Sequence, residues 1–199
     1  QIMFKEDKVF KAIITALGLS VAVQAQATTV FDVFRETQSS AIMSQARTQG
    51  LDWKVGDQNN YNLDMGGFIK GSMSMKCREI SSEGLWVDQD MDLGFAGKQK
   101  ASMLIDPNTG EIKKMIVNGK EQQVPKQNVE IISVTEDKIT VPAGTFECIH
   151  AVIKDKDNNQ ETNAWINPEQ IPLSGMLKTI QPSQFGEVNV ELTSFNKAK

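Results

Sequence analysis

One histidine, two cysteines and one tyrosine are all that 199 residues carry of those types. That scarcity narrows the chemistry. His150 is the single imidazole and has no nucleophile at a readable spacing, so a Ser-His-Asp arrangement finds no support. There is no GxGxxG, no Walker loop, no internal repeat and no low-complexity tract. Basic residues are not in excess: 21 Lys and Arg stand against 25 Asp and Glu, a net charge of −4. This argues against a nucleic-acid surface. No apolar run is long enough to cross a bilayer, so a transmembrane segment is not expected in the mature chain. A non-enzymatic protein without a cofactor is the expectation.

What is present begins with an export signal. Lys5, Lys8 and Lys11 form a basic region, Ala12–Val23 an apolar run of signal-peptide length, and Ala25-Gln26-Ala27 a small-x-small cleavage site. Residues 1–27 read as a signal peptide, addressed to the periplasm of a Gram-negative bacterium. No cysteine follows the site to carry a lipid anchor. Over residues 28–50, Val30, Phe31, Phe34, Ala41, Ile42 and Ala46 recur at helical spacing, and the pattern predicts one amphipathic helix.

From residue 51 to 199 the period changes to two. Tyr61–Met65, Ile69–Cys77, Leu85–Phe95, Ala101–Ile105 and Ile112–Val117 alternate apolar with polar residues. So do Val129–Val134, Ile139–Val141, Phe146–Ile153, Asn163–Ile166, Gly175–Ile180 and Val188–Phe195. Asp106-Pro107-Asn108-Thr109-Gly110, Asn118-Gly119 and Pro142-Ala143-Gly144 are turn signals between them. Pro142 presets φ, and Gly144 is placed where a positive φ is expected. Short strands joined by short turns predict a mainly β domain: an antiparallel meander forming an open barrel or half-barrel, with one N-terminal helix.

The run V-P-A-G-T-F-E-C from Val141 to Cys148, followed by N-A-W-I-N-P from Asn163 to Pro168, resembles a motif of the TapB-like exported bacterial β-proteins. The resemblance implies a fold similar to the LolA/LolB lipoprotein carriers, and hence a cavity for lipid or acyl chains. In such a cavity Met65, Met73, Met75, Leu85, Val87, Met103, Leu104 and Trp165 are the candidate lining, since flexible Met side chains suit varied apolar ligands.

Two further readings concern the soft side chains. Cys77 and Cys148 are an even pair in an oxidising compartment, and a disulfide is expected. It would close a loop of roughly 70 residues, a stabilisation of about 4 kcal/mol in the chain-entropy picture. The competing reading gathers Met73, Met75, Cys77, Cys148 and His150 as Cu(I) ligands. The acidic alternations Asp88-Asp90-Asp92 and Asp155-Asp157-Asn159-Glu161 lack the glycine and terminal glutamate of a calcium loop, and read as solvated strand face and hairpin tip. Three functions remain open: carriage of a hydrophobic molecule or lipid, accessory work in an envelope assembly by protein contact, and copper handling.

Overall fold

A computed structural model describes residues 51–124, 128–157, 159–183 and 186–199. Among them are eleven strands: β1 (Gln58–Met65), β2 (Ile69–Ser81), β3 (Gly84–Asp92), β4 (Lys98–Ile105), β5 (Ile112–Val117), β6 (Lys120–Gln122), β7 (Val129–Val141), β8 (Gly144–Asp155), β9 (Glu161–Ile166), β10 (Met176–Ser183) and β11 (Gly186–Asn196). All pair antiparallel in one sheet of order β6-β5-β4-β3-β2-β1-β11-β10-β9-β8-β7.

The fold class needs a correction. The described residues form a single open sheet with β6 and β7 as free edges, and their only helical turn is the 3-10 turn Gly94–Ala96. The described residues are therefore all-β and leave the expected N-terminal helix without support. The stretch assigned to that helix, 28–50, lies outside the described residues, as does the expected signal segment 1–27.

Chain length requires the sheet to curl. Laid flat, eleven strands would measure about 48 Å from edge to edge at ~4.8 Å per step. Yet β6 ends at Gln122 and β7, on the opposite edge, starts at Val129. Seven peptide steps reach about 25 Å at most, so the two edges are drawn together. Bulges near Tyr61, Cys77, Ile105, Ser133 and Lys178 add local twist in the same sense. At one corner the Ala143 N–H donates to the Leu192 carbonyl at 3.0 Å, fastening the β7–β8 turn to β11.

One face of the sheet is the core. Across strands the register lines up Tyr61, Met73 and Met91, and beside them Cys77, Val87, Met103 and Met115, all buried. Burying each such side chain contributes about 1.5–3 kcal/mol. The β9–β10 connection closes one end of this face, with Ile171 and Leu173 fully buried. Asn59 holds it there by donating from Nδ2 to the Pro172 carbonyl at 2.8 Å. The opposite face is polar. No helix of the described residues is long and apolar enough to cross a membrane.

Candidate functional site

The core face does not stop where its cover stops. One row of direct cross-strand neighbours runs Leu63, Val190, Thr179, Ala164, Ala151, Val134, from β1 out to the edge strand β7. The first five are 1–8% exposed and Val134 is 58% exposed. The next row ends Thr162, Ile153, Ile131, and exposure climbs from 6% at Ile153 to 57% at Ile131. A third ends Ile166, Ile149, Glu136, with Ile149 and Glu136 both exposed. Aliphatic side chains thus continue the core pattern onto β7–β9 and meet solvent there. An edge strand is ordinarily protected by brevity, charge or bulges. The other edge obeys: β6 is three residues, Lys-Glu-Gln, all exposed. β7 is thirteen residues, and nine consecutive ones, Glu130 to Lys138, are exposed, with Thr140 exposed again beyond half-buried Ile139.

Its charges are mostly engaged. Glu130 faces Lys156 at 3.7 Å, Lys138 contacts Glu147 at 2.6 Å, and Asp137 Oδ2 accepts from the Trp165 indole at 2.8 Å. Glu136, among the aliphatic residues of the core-side face, has no ion-pair partner among the described residues. The bulge between Ile131 and Ser133 leaves Ile132 outside the ladder and half exposed.

On the polar side of the same strands lies an ordered cluster. The rings of His150 and Trp165 stack, and His150 Nε2 is 2.9 Å from Asn163 Oδ1. The Trp165 hydrogen bond, then the Lys138 N–H, hold the Asp137 carboxyl below the usual carboxylate range. A shallow groove of about 430 Å³ crosses β1–β4 on the polar side, walled by Asn60, Ser74, Asn62 and Ser72 and by the pairs Asp90–Lys100 and Asp92–Lys98.

The residues singled out from sequence fall apart into three places. Met65, Met73, Met75, Leu85, Val87, Met103 and Leu104 are all 5% exposed or less. Leu104 is on the opposite side of β4 from Met103, and Trp165 is on the polar face over His150. Pro142 and Ala143 link Val141 to Gly144, whose φ is +142°.

The expected disulfide is not formed: Cys77 and Cys148 are free, buried thiols. β1, β11, β10 and β9 stand between their strands, whereas a bridge needs Cα atoms within about 7 Å. Burial first, then the charge of Asp57, pushes the Cys77 thiol up to about 11. Burial likewise raises that of Cys148, whose Sγ donates to the Asp137 carbonyl at 3.5 Å. The Cu(I) set is divided by the same four strands, with Met73, Met75 and Cys77 on β2 and Cys148 and His150 on β8. Among the described residues no three His, Cys, Asp or Glu side chains are placed to hold a metal ion. In the Asp88-Asp90-Asp92 run each carboxylate faces a cation, Arg78, Lys100 and Lys98 respectively.

No protein-family model and no curated protein matches the chain. Solved structures do resemble it. The hypothetical protein CT021 from Chlamydia trachomatis is similar with a TM-score of 0.51 and 12% identity, over 78% of this chain and 92% of that one. The MucA/MucB complex of Pseudomonas aeruginosa matches with a TM-score of 0.48 and 10% identity, over 82% of this chain and 57% of that one. A candidate exported protein with a YmcC-like fold from Bacteroides fragilis gives 0.42 and 10%, over 74% and 99%. Likeness at such identities is likeness of fold, and one fold hosts many tasks. The TapB-like name suggested by Val141–Pro168 finds no match among them.

Proposed function

We propose that this protein is an exported, non-enzymatic β-domain that works in the periplasm by holding another polypeptide at the β7–β9 end of its sheet. One observation carries the reading: the core face runs out to a long, exposed edge strand with Ile131 and Val134 more than half exposed. An uncovered strand offers unpaired backbone groups to a partner's backbone, and the adjoining aliphatic side chains offer apolar contact. Export is supported by the Lys5–Ala27 layout. The same aliphatic side chains could receive an acyl chain, so lipid is the competing occupant.

The experiment is photocrosslinking in the bacterium, with a photoreactive side chain at Val134 and a control at Lys100, on the polar face of β4. A discrete protein adduct at 134, absent at 100 and absent from an Ile131→Lys, Val134→Lys variant of unchanged melting temperature, is the expected result. Adducts to lipid alone, or none at 134, would overturn the reading.

A further inference from the structure

We infer that the partner's docking segment is a short extended strand with a lysine or arginine flanked by aliphatic residues, and that Glu136 is the residue that selects it. This rests on the polypeptide-holding reading above and adds the chemistry of the occupant. The free part of β7 is bounded at both ends. At the start, the bulge between Ile131 and Ser133 interrupts a regular ladder. At the finish, Val141 is buried and the Ala143 N–H is bonded to Leu192. Seven residues, Ser133–Ile139, remain for a partner strand to pair with, a length typical of natural strands.

Alternation along those seven places Val134, Glu136 and Lys138 on the core-side face, as their neighbours Ala151, Ile149 and Glu147 confirm. Lys138 is matched by Glu147 at 2.6 Å. Glu136 is opposite Ile149, an apolar residue that offers a carboxylate nothing. An added strand would set one side chain directly across from Glu136 and two more across from Val134 and Lys138. Opposite charges across a pair of strands attract and like charges repel, so a basic residue is favoured at the centre and an acidic one rejected. Apolar residues two positions to either side would reach Val134, Ile149 and the aliphatic stem of Lys138. Selection by attraction at one place and repulsion of the wrong charge at the same place is how a modest strand contact becomes specific.

The test uses the full chain and a blocked heptapeptide, Thr-Val-Thr-Lys-Thr-Val-Thr, whose palindromic order serves either strand direction. Its counterpart carries glutamate at the centre. Amide shifts in a nuclear magnetic resonance titration report both site and affinity. The expected result is perturbation along β7 and β8, with the lysine peptide binding about two- to fivefold more tightly than the glutamate peptide. The order should reverse on Glu136→Lys. Equal binding of both peptides to β7 in both proteins would overturn the charge selection and leave the edge-docking reading standing. Perturbation elsewhere, or none for any peptide, would overturn docking at β7 itself.

Discussion

The indole of Trp165 lies flat on the imidazole of His150, ring centres 4.4 Å and planes 6° apart, while its Nε1–H reaches Asp137 Oδ2 at 2.8 Å. Three strands are thereby tied on the polar side: β9 supplies the indole, β8 the imidazole beneath it, and β7 the acceptor. The edge strand β7 is thus exposed yet fastened to its neighbours on the polar side.

The fastening depends on pH through Asp137. Its folded value is depressed, chiefly by the Trp165 hydrogen bond and next by the Lys138 N–H. A depressed carboxyl contributes stability above its unfolded value, about 3.9, and that contribution disappears as pH falls through the lower folded value. The Trp165 indole N–H resonance should therefore titrate with a midpoint below that of an ordinary aspartate. Asp137→Asn keeps an acceptor but removes the titration. A resonance indifferent to acid in the wild-type protein would refute the coupling.

Tyr61 is the single tyrosine, so its ionisation can be read by absorbance without interference. Burial pushes its phenol far above the ordinary value. A raised value means stability that is present below pH ~10 and lost as pH rises beyond it. Tyrosinate absorbance should appear only together with alkaline unfolding. Its hydroxyl meets Asn59 Nδ2 at 3.0 Å and donates to the Met176 carbonyl at 3.3 Å. Tyr61→Phe leaves those buried groups short of a partner and should cost about 1–3 kcal/mol in denaturant unfolding.

Two thiols per chain should react when unreduced protein is denatured, because Cys77 and Cys148 are free. In the native state both should be slow towards alkylation at neutral pH, since thiolate is the reactive form and burial suppresses it at both positions. Reductant should leave the melting temperature unchanged. Zero thiols after denaturation would mean that a bridge forms after all.

Gly144 closes the two-residue turn into β8 with φ +142°, and a Cβ there would sit 3.4 Å from the Phe146 ring. The crowding is mild, so the conformation dominates. Gly144→Val should destabilise by about 1–3 kcal/mol, read as a lowered melting temperature. A variant as stable as wild type would show that the turn tolerates side chains.

Alternation alone made most strands legible, because each has one buried and one wet face. Where it failed, longer-range geometry decided. Val129–Val134 and Ile139–Val141 read as separate strands because Glu136-Asp137-Lys138 looks like a loop; they are one strand, since an edge exposes both faces and lets charge persist within it. Met103 and Leu104 cannot line the same face of one strand, yet apolar character alone placed both there. The pairing of His150 with Trp165 depends on the β8–β9 register, which no local pattern encodes. The exposed row end at Val134 required the strand order of the whole sheet. The cysteines misled because even counts in oxidising compartments usually pair; here the topology intervened.

Strand order also bears on how the molecule assembles. Among the described residues every strand pairing but one joins neighbours in sequence; the exception is β1 with β11, where Gln58 meets Asn196, 138 positions away (196 − 58). Each half, β1–β6 and β7–β11, can zip by hairpins whose ends start close together, while the central seam must close the longest loop and is the slow event. The β7–β8 hairpin, turned by Pro142 and Ala143 alone, is complete well before that seam. The exposed edge thus exists on half-folded chains, at the moment when stray strand pairing is most dangerous.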